Sequence, residues 1–200
     1  MLGLSSGLTS VSAPSSRVLL ETYTADWSSG VDGWASYSPN DAVATLTGNI
    51  DDPFGTSKNN CLRVEFNADE TSICGIIKSG LFSASIRKGD YIEVTCNIYL
   101  ESEYDSTGDG SNDVTDRWSG TDDVQTAIQM PGTTSDFFTV AQNQWVALDT
   151  PSEDADSDTT TTNTDSMIIF FSNPVDLPKD GARFYLHNFV VKLYRSQLFT

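Results

Sequence analysis

Basic residues are scarce in this 200-residue chain. Eleven Lys and Arg stand against 28 Asp and Glu, and a single histidine leaves the net charge at −17. Nucleic acids need a basic footprint to neutralise phosphates, so they are excluded as a partner class. Anionic membrane surfaces are disfavoured on the same ground. Long apolar runs are missing too: nothing approaches the roughly 18 apolar residues that span a bilayer. Cysteine is limited to Cys61, Cys74 and Cys96, with no CxxC pair. Each sits inside an apolar run (CLRVEF, SICGII, VTCNIYL), so all three read as buried free thiols of a chain folded in a reducing compartment.

Aromatics, by contrast, are plentiful. Ten Phe, seven Tyr and four Trp within a 38% hydrophobic composition are enough to build a core and argue against wholesale disorder. Residues 1–16 are Ser-, Gly- and Thr-rich and lack both helical and strand periodicity. They are expected to form a flexible, extended N-terminal arm whose Leu2, Leu4 and Leu8 would be buried only by docking on a partner. No basic n-region precedes its broken apolar stretch, so it is not read as a signal peptide.

Residues 17–200 are expected to form a single domain. In 91–100, Ile92, Val94, Cys96, Ile98 and Leu100 alternate with Tyr91, Glu93, Thr95, Asn97 and Tyr99, the period-two pattern of a half-buried strand. Residues 182–194 are a second clear strand. Further strands are expected at 18–23, 43–47, 61–66, 72–78, 124–129, 137–141, 144–149 and 166–172, separated by turns such as Lys88-Gly89-Asp90 and Lys179-Asp180-Gly181. Ten short strands without an amphipathic helix predict an all-β protein, an antiparallel β-sandwich of jelly-roll type.

Two long acidic loops interrupt that rhythm. Residues 101–123 carry eight acidic side chains and 149–165 carry six, half of the chain's 28 carboxylates, with Arg117 as the one basic residue among them. Such segments remain solvated unless a cation or a neighbouring subunit orders them. Asp154, Asp156 and Asp158 alternate, and Asp165 falls where the last ligand of an EF-hand loop would lie. Hard oxygen ligands at that spacing suit Ca²⁺, although Thr159 replaces the required glycine and no helices flank the loop. No cofactor is required by anything else in the chain.

Catalytic motifs are not found: there is no HExxH, no GxSxG and no P-loop, and any Ser-His-Asp arrangement would rest on His187, which lies mid-strand. The acids sit in Ser/Thr-rich loops rather than beside apolar neighbours that would raise a pKa, so a paired-carboxylate hydrolase is not supported. The chain is read as non-enzymatic. For sugar stacking the aromatic candidates are Trp27, Trp34, Tyr37, Tyr104, Trp118 and Trp145; Tyr104 and Trp118 lead because they sit in an acidic loop where burial is least expected, whereas Trp145 is expected in the core.

Asp26-Trp27-Ser28-Ser29-Gly30-Val31-Asp32-Gly33-Trp34, the strand entry Gly89-Asp90-Tyr91-Ile92-Glu93-Val94 and the closing strand Phe184-Tyr185-Leu186-His187-Asn188-Phe189-Val190-Val191 occur in the order and spacing of a known superfamily. Together they resemble carbohydrate-binding modules of the galactose-binding-like jelly-roll superfamily, of the kind found in tailed-bacteriophage virion proteins. In many such modules an acidic pair in the closing strand helps to hold a structural calcium. Here His187-Asn188 replaces that pair, leaving Glu21, Asp26 and Asn188 as the oxygen donors the resemblance implies. A lone sandwich with an apolar-dotted arm and no export signal is expected to be a virion structural protein, made in the host cytoplasm. It would serve as a head decoration or tail-associated component, with copies of itself (a homo-oligomer) and other virion proteins as partners. The alternative is a free-standing glycan-binding module that adheres to host or other polysaccharide.

Overall fold

A strand with one dry face must alternate, and the computed structural model places 91–100 accordingly. Ile92, Val94, Cys96, Ile98 and Leu100 are buried, while Glu93, Thr95 and Asn97 point outward. The structure describes residues 17–38, 44–52, 54–101, 118, 123–131, 135–150, 153–154, 166–173 and 177–196. In chain order the strands are β1 (Arg17–Thr24), β2 (Trp34–Tyr37), β3 (Ala44–Ile50), β4 (Cys61–Phe66), β5 (Cys74–Ser79), β6 (Tyr91–Glu101), β7 (Asp123–Gln129), β8 (Ser135–Ala141), β9 (Trp145–Asp149), β10 (Glu153–Asp154), β11 (Ser166–Phe171) and β12 (Arg183–Ser196). Among the described residues there is no helix.

The strands form two sheets, and every strand pair is antiparallel. One sheet has seven strands, ordered β10-β6-β12-β4-β3, with β1 added to β12 and β9 to β6; the other has five, ordered β2-β5-β11-β7-β8. The protein is therefore an antiparallel β-sandwich of jelly-roll type. Two strands lie outside those expected from the sequence: β2, four residues among turn formers, and β10, two residues within an acidic loop. The two expected turns are present, with Gly89 at φ 82° and Gly181 at φ 77°, conformations that glycine adopts without strain.

Aromatic rings fill the space between the sheets. Trp118 lies 4.7 Å from Phe171 and 6.2 Å from Phe66, and Phe184 lies 5.5 Å from Phe171. Each such buried ring contributes on the order of 2–3 kcal/mol by removal of apolar surface from water. At the other end, Trp27 and Trp34 pack on Phe189 at 6.5 and 5.0 Å. The Trp34 indole N–H donates to the Tyr23 hydroxyl (3.1 Å), which donates in turn to Asp32 (2.6 Å). The Trp27–Trp34 segment thus serves the core.

The closing strand shows how sequence phase sets geometry. Phe184 and Leu186 are buried, and so are Phe189, Val191 and Leu193, which occupy the opposite phase. A single extra residue must intervene, and the register against β6 does shift between His187 and Val190. Asn188 takes the left-handed conformation (φ 51°) that this bulge needs, one that Asn tolerates better than most residues. Without the bulge, Val190 and Lys192 would face the core.

Candidate functional site

Register aligns a row of side chains across the outer face of the five-stranded sheet. Tyr37 on β2 is opposite Gly75 on β5, Gly75 opposite Phe170 on β11, Phe170 opposite Ala127 on β7, and Ala127 opposite Phe137 on β8. Aromatic and small residues alternate along the row, so the three aromatic residues sit on every second strand, and the Phe170 and Phe137 rings lean towards each other across the strand between them. Phe137 is 56% exposed and meets Phe170 at 6.4 Å, ring edge to ring face. Gly75 is required by the fold as well: a Cβ there would run into the Ile169 carbonyl oxygen and the Phe170 Cα. The parallel row beside it carries Ala35, Ile77, Ile168, Gln129 and Ser135, and on the other side Gln125 stands opposite Thr139. The result is an apolar band edged by amides and hydroxyls.

The seven-stranded sheet turns a different row outward: Trp145 on β9, Tyr99 on β6, Tyr185 on β12, Arg63 on β4 and Thr47 on β3. Here the rings are covered. Tyr99 and Tyr185 are only 5% and 3% exposed, with Phe54 from the β3–β4 loop stacked on Tyr99 at 3.8 Å and 11°. The Tyr185 hydroxyl donates to Glu101 (3.0 Å), whose carboxyl is raised above the usual range because burial outweighs that bond. Arg183 pairs with Glu65 at 2.9 Å. Burial also lowers the pKa of His187, aided by nearby Lys58.

The fold scatters the residues singled out from the sequence. Trp118 is fully buried, and its indole N–H donates to the Glu101 carbonyl (3.1 Å). The expectation of an exposed Trp118 is overturned, because the ring fills space between Phe66 and Phe171 that polar neighbours in sequence do not reveal. The reverse holds for Trp145, which lies on the outer face rather than in the core, since Val146 and Leu148 take the inward phase of β9. Both carboxylate oxygens of Glu21 accept from the backbone, Ser83 N at 2.9 Å and Ala84 N at 3.1 Å, and Asp26 accepts from Ser28 N at 3.0 Å. Asn188 is the exposed bulge residue of β12. Asp154 lies on β10 opposite Tyr91. Tyr104, Asp156, Asp158, Asp165, Leu2, Leu4 and Leu8 fall outside the described residues. Among the described residues no three His, Cys, Asp or Glu side chains are grouped to hold a metal ion. Of the Tyr37–Phe170–Phe137 row only Tyr37 was among the aromatic candidates; Phe170 and Phe137 were missed because each adjoins a second Phe, so both phases of β11 and β8 look apolar at that point.

No protein-family profile matches the chain, and no curated protein matches it in sequence. Solved structures do resemble it. The Stig cyclase FisC of Fischerella sp. TAU superposes with a TM-score of 0.55 at 11% identity, covering 91% of this chain and 100% of that one. A second cyclase structure from the same organism gives 0.52 at 11% identity, covering 88% and 91%. The C-terminal family 22 carbohydrate-binding module of Clostridium thermocellum Xyn10B gives 0.49 at 16% identity, covering 88% and 96%. The cyclase likenesses show the shared sandwich fold alone, and a fold of this kind does not by itself assign an activity.

Proposed function

We propose that this protein is a non-catalytic glycan-binding module that holds a neutral polysaccharide against the outer face of its five-stranded sheet. The observation that carries this reading is the alternation of Tyr37, Phe170 and Phe137 with Gly75 and Ala127. Sugar rings present C–H faces that stack on aromatic rings, and Phe137, the ring of the row most open to solvent, is placed to take such a face. Gln125, Gln129, Ser135 and Thr139 are placed to exchange hydrogen bonds with the hydroxyl rim. A catalytic alternative lacks an activated nucleophile among the cysteines: burial pushes Cys61 up to about 11 and Cys96 to about 12, and Cys74 is raised further. The test is affinity electrophoresis in gels containing xylan, mixed-linkage β-glucan or soluble cellulose derivatives. Retardation in one of them that Phe137→Ala weakens about tenfold supports the reading, as loss of one stacked ring costs about 1 kcal/mol or more. No retardation in any gel, or retardation unchanged in F137A, overturns it.

A second reading, assembly with other copies as in a virion component, is favoured by one observation. Val18, Leu19 and Leu20 are 38%, 48% and 40% exposed on β1, which pairs only with β12 among the described residues. An edge strand with consecutive exposed apolar side chains is a pairing surface. Light scattering of the intact chain tests it: a discrete oligomer that Leu19→Asp dissociates supports assembly, and a monomer refutes it. The two readings are compatible, since they use different edges and faces.

A further inference from the structure

The outward row of the seven-stranded sheet is built like a binding site that one of the protein's own rings occupies. A solvent face of a sandwich normally carries polar side chains. Here Trp145, Tyr99 and Tyr185 stand side by side, with ring centroids 5.6 Å apart for Tyr99–Trp145 and 6.2 Å for Tyr99–Tyr185. Phe54 lies flat on Tyr99 and edge-on to Tyr185 at 5.4 Å, the arrangement that the C–H face of a sugar would take on such a platform.

The loop bearing Phe54 is organised by its own bonds. Asp52 accepts from Phe54 N at 2.8 Å, Thr56 N at 2.9 Å and the Thr56 hydroxyl, and its own N–H donates to the Lys58 carbonyl at 2.8 Å. The loop meets the sheet through Phe54 and through Lys58, whose ammonium lies 5.1 Å from the Trp145 ring centre. Left-handed residues lie within the loop, at Gly55 (φ 75°), Ser57 (φ 62°) and Asn60 (φ 56°), and at Asn49 (φ 55°) where the register of β3 shifts. At Ser57 the chain is held in a sparsely populated conformation.

The polar groups around the platform state its chemistry. The acids have partners: Glu65 is held by Arg183, Glu101 by the Tyr185 hydroxyl and Asp52 by its own loop. The bases do not all have them. Arg63 is directly opposite Tyr185; its Nη2 donates to the Thr47 hydroxyl at 3.5 Å, but its buried Nε–H has no hydrogen-bond acceptor, and buried Nδ1 of His187, two residues along the same strand as Tyr185, is also unpartnered. Buried polar atoms without partners are uncommon and costly in folded proteins. In a chain of net charge −17, Lys58, Arg63 and Arg183 balance Asp52, Glu65 and Glu101 around this platform, so an anion meets less repulsion here than the whole chain would impose.

We propose that the Tyr99–Tyr185 platform is a second saccharide site, specific for a pyranose bearing a carboxylate (a uronate-type sugar), and that Phe54 is the ring this ligand displaces. The carboxylate pairs with Arg63, the sugar ring stacks on Tyr99, and its hydroxyls reach His187. The site lies on the opposite sheet from the Phe137 band and does not depend on it.

The sole histidine makes the test direct, because the His187 imidazole gives the only histidine side-chain signals in the NMR spectrum. Intact protein and Phe54→Ala are titrated with a digalacturonate, a glucuronate disaccharide and a neutral disaccharide. The expected result is a saturable His187 shift with a uronate, about tenfold tighter in F54A than in the parent, absent with the neutral sugar and lost in F54A/R63Q. Phe54→Leu, which keeps apolar cover but removes the flat ring, serves if F54A does not fold. No saturable shift at millimolar uronate in a folded Phe54 variant overturns the proposal, and so does an equal response to the neutral sugar. Phe137→Ala is expected to leave the His187 response unchanged, so failure here and failure of the glycan band on the other sheet are read separately.

Discussion

The two sheets pack their inner faces alike and turn opposite characters outward. The five-stranded sheet leaves Phe137 open to solvent within an apolar row bounded by amides and hydroxyls. The seven-stranded sheet buries its outward rings under Phe54 and surrounds them with charged pairs. Both faces began as the outward phase of alternating strands. The difference lies in what packs over each face. The β3–β4 loop brings a ring down onto Tyr99, whereas Phe137 on β8 of the other sheet stays 56% exposed with Phe170 edge-on beside it. An aromatic row is open or closed according to its neighbours in space.

The comparison can be broken or sharpened by substitution. Trp118 belongs to neither face, and Trp118→Ala is expected to cost about 3–5 kcal/mol through lost burial and a cavity. Urea unfolding would then show both faces failing together; a loss below about 1 kcal/mol would mean the ring is not the core element it is taken to be. Gly75→Ala forces a Cβ against β11, with an expected cost of about 1–3 kcal/mol in thermal melts. It should abolish polysaccharide retardation before it disturbs the His187 signals.

Asp90 offers a pH test on the seven-stranded side. It accepts from Arg195 Nε at 2.8 Å and Nη2 at 2.6 Å and from Arg87 N at 2.9 Å. Burial alone would raise its carboxyl, but these bonds outweigh burial and hold it below the usual aspartate range. The folded state therefore binds its proton less readily than the unfolded chain. The resulting stability is present above the ordinary pKa of about 3.9 and is lost as pH falls through the lower folded value. Asp90→Asn is expected to cost about 1–3 kcal/mol at neutral pH and to flatten that acid limb in pH-dependent unfolding. An unchanged acid limb would assign the acid sensitivity elsewhere. The smallest stability effect belongs to Phe137→Ala, within about 0.5 kcal/mol of the parent because the ring is largely exposed. Its melting temperature should barely move while polysaccharide retardation weakens about tenfold.

Much of the fold was legible because one wet face and one dry face impose alternation. β6 shows this directly, and in β12 the phase change from Phe184 and Leu186 to Phe189, Val191 and Leu193 encodes the bulge at Asn188. β2 was hidden because four residues, Trp34–Tyr37, are too few to display a period among turn formers. The two tryptophans exchange places for a related reason. Trp118 has polar neighbours in sequence, whereas its surroundings in space are Phe66 and Phe171. Trp145 has apolar neighbours in sequence, but Val146 and Leu148 already claim the inward phase.

Composition, charge segregation and strand period are properties of the chain read locally, and they determined that this is an acidic, all-β protein with half of its carboxylates in two segments. The rows Tyr37–Phe170–Phe137 and Trp145–Tyr99–Tyr185–Arg63 join residues far apart in sequence. Only the tertiary structure decided them, because cross-strand register is set by packing of the shared core, and a slip of one residue would have sent every one of these side chains to the other face.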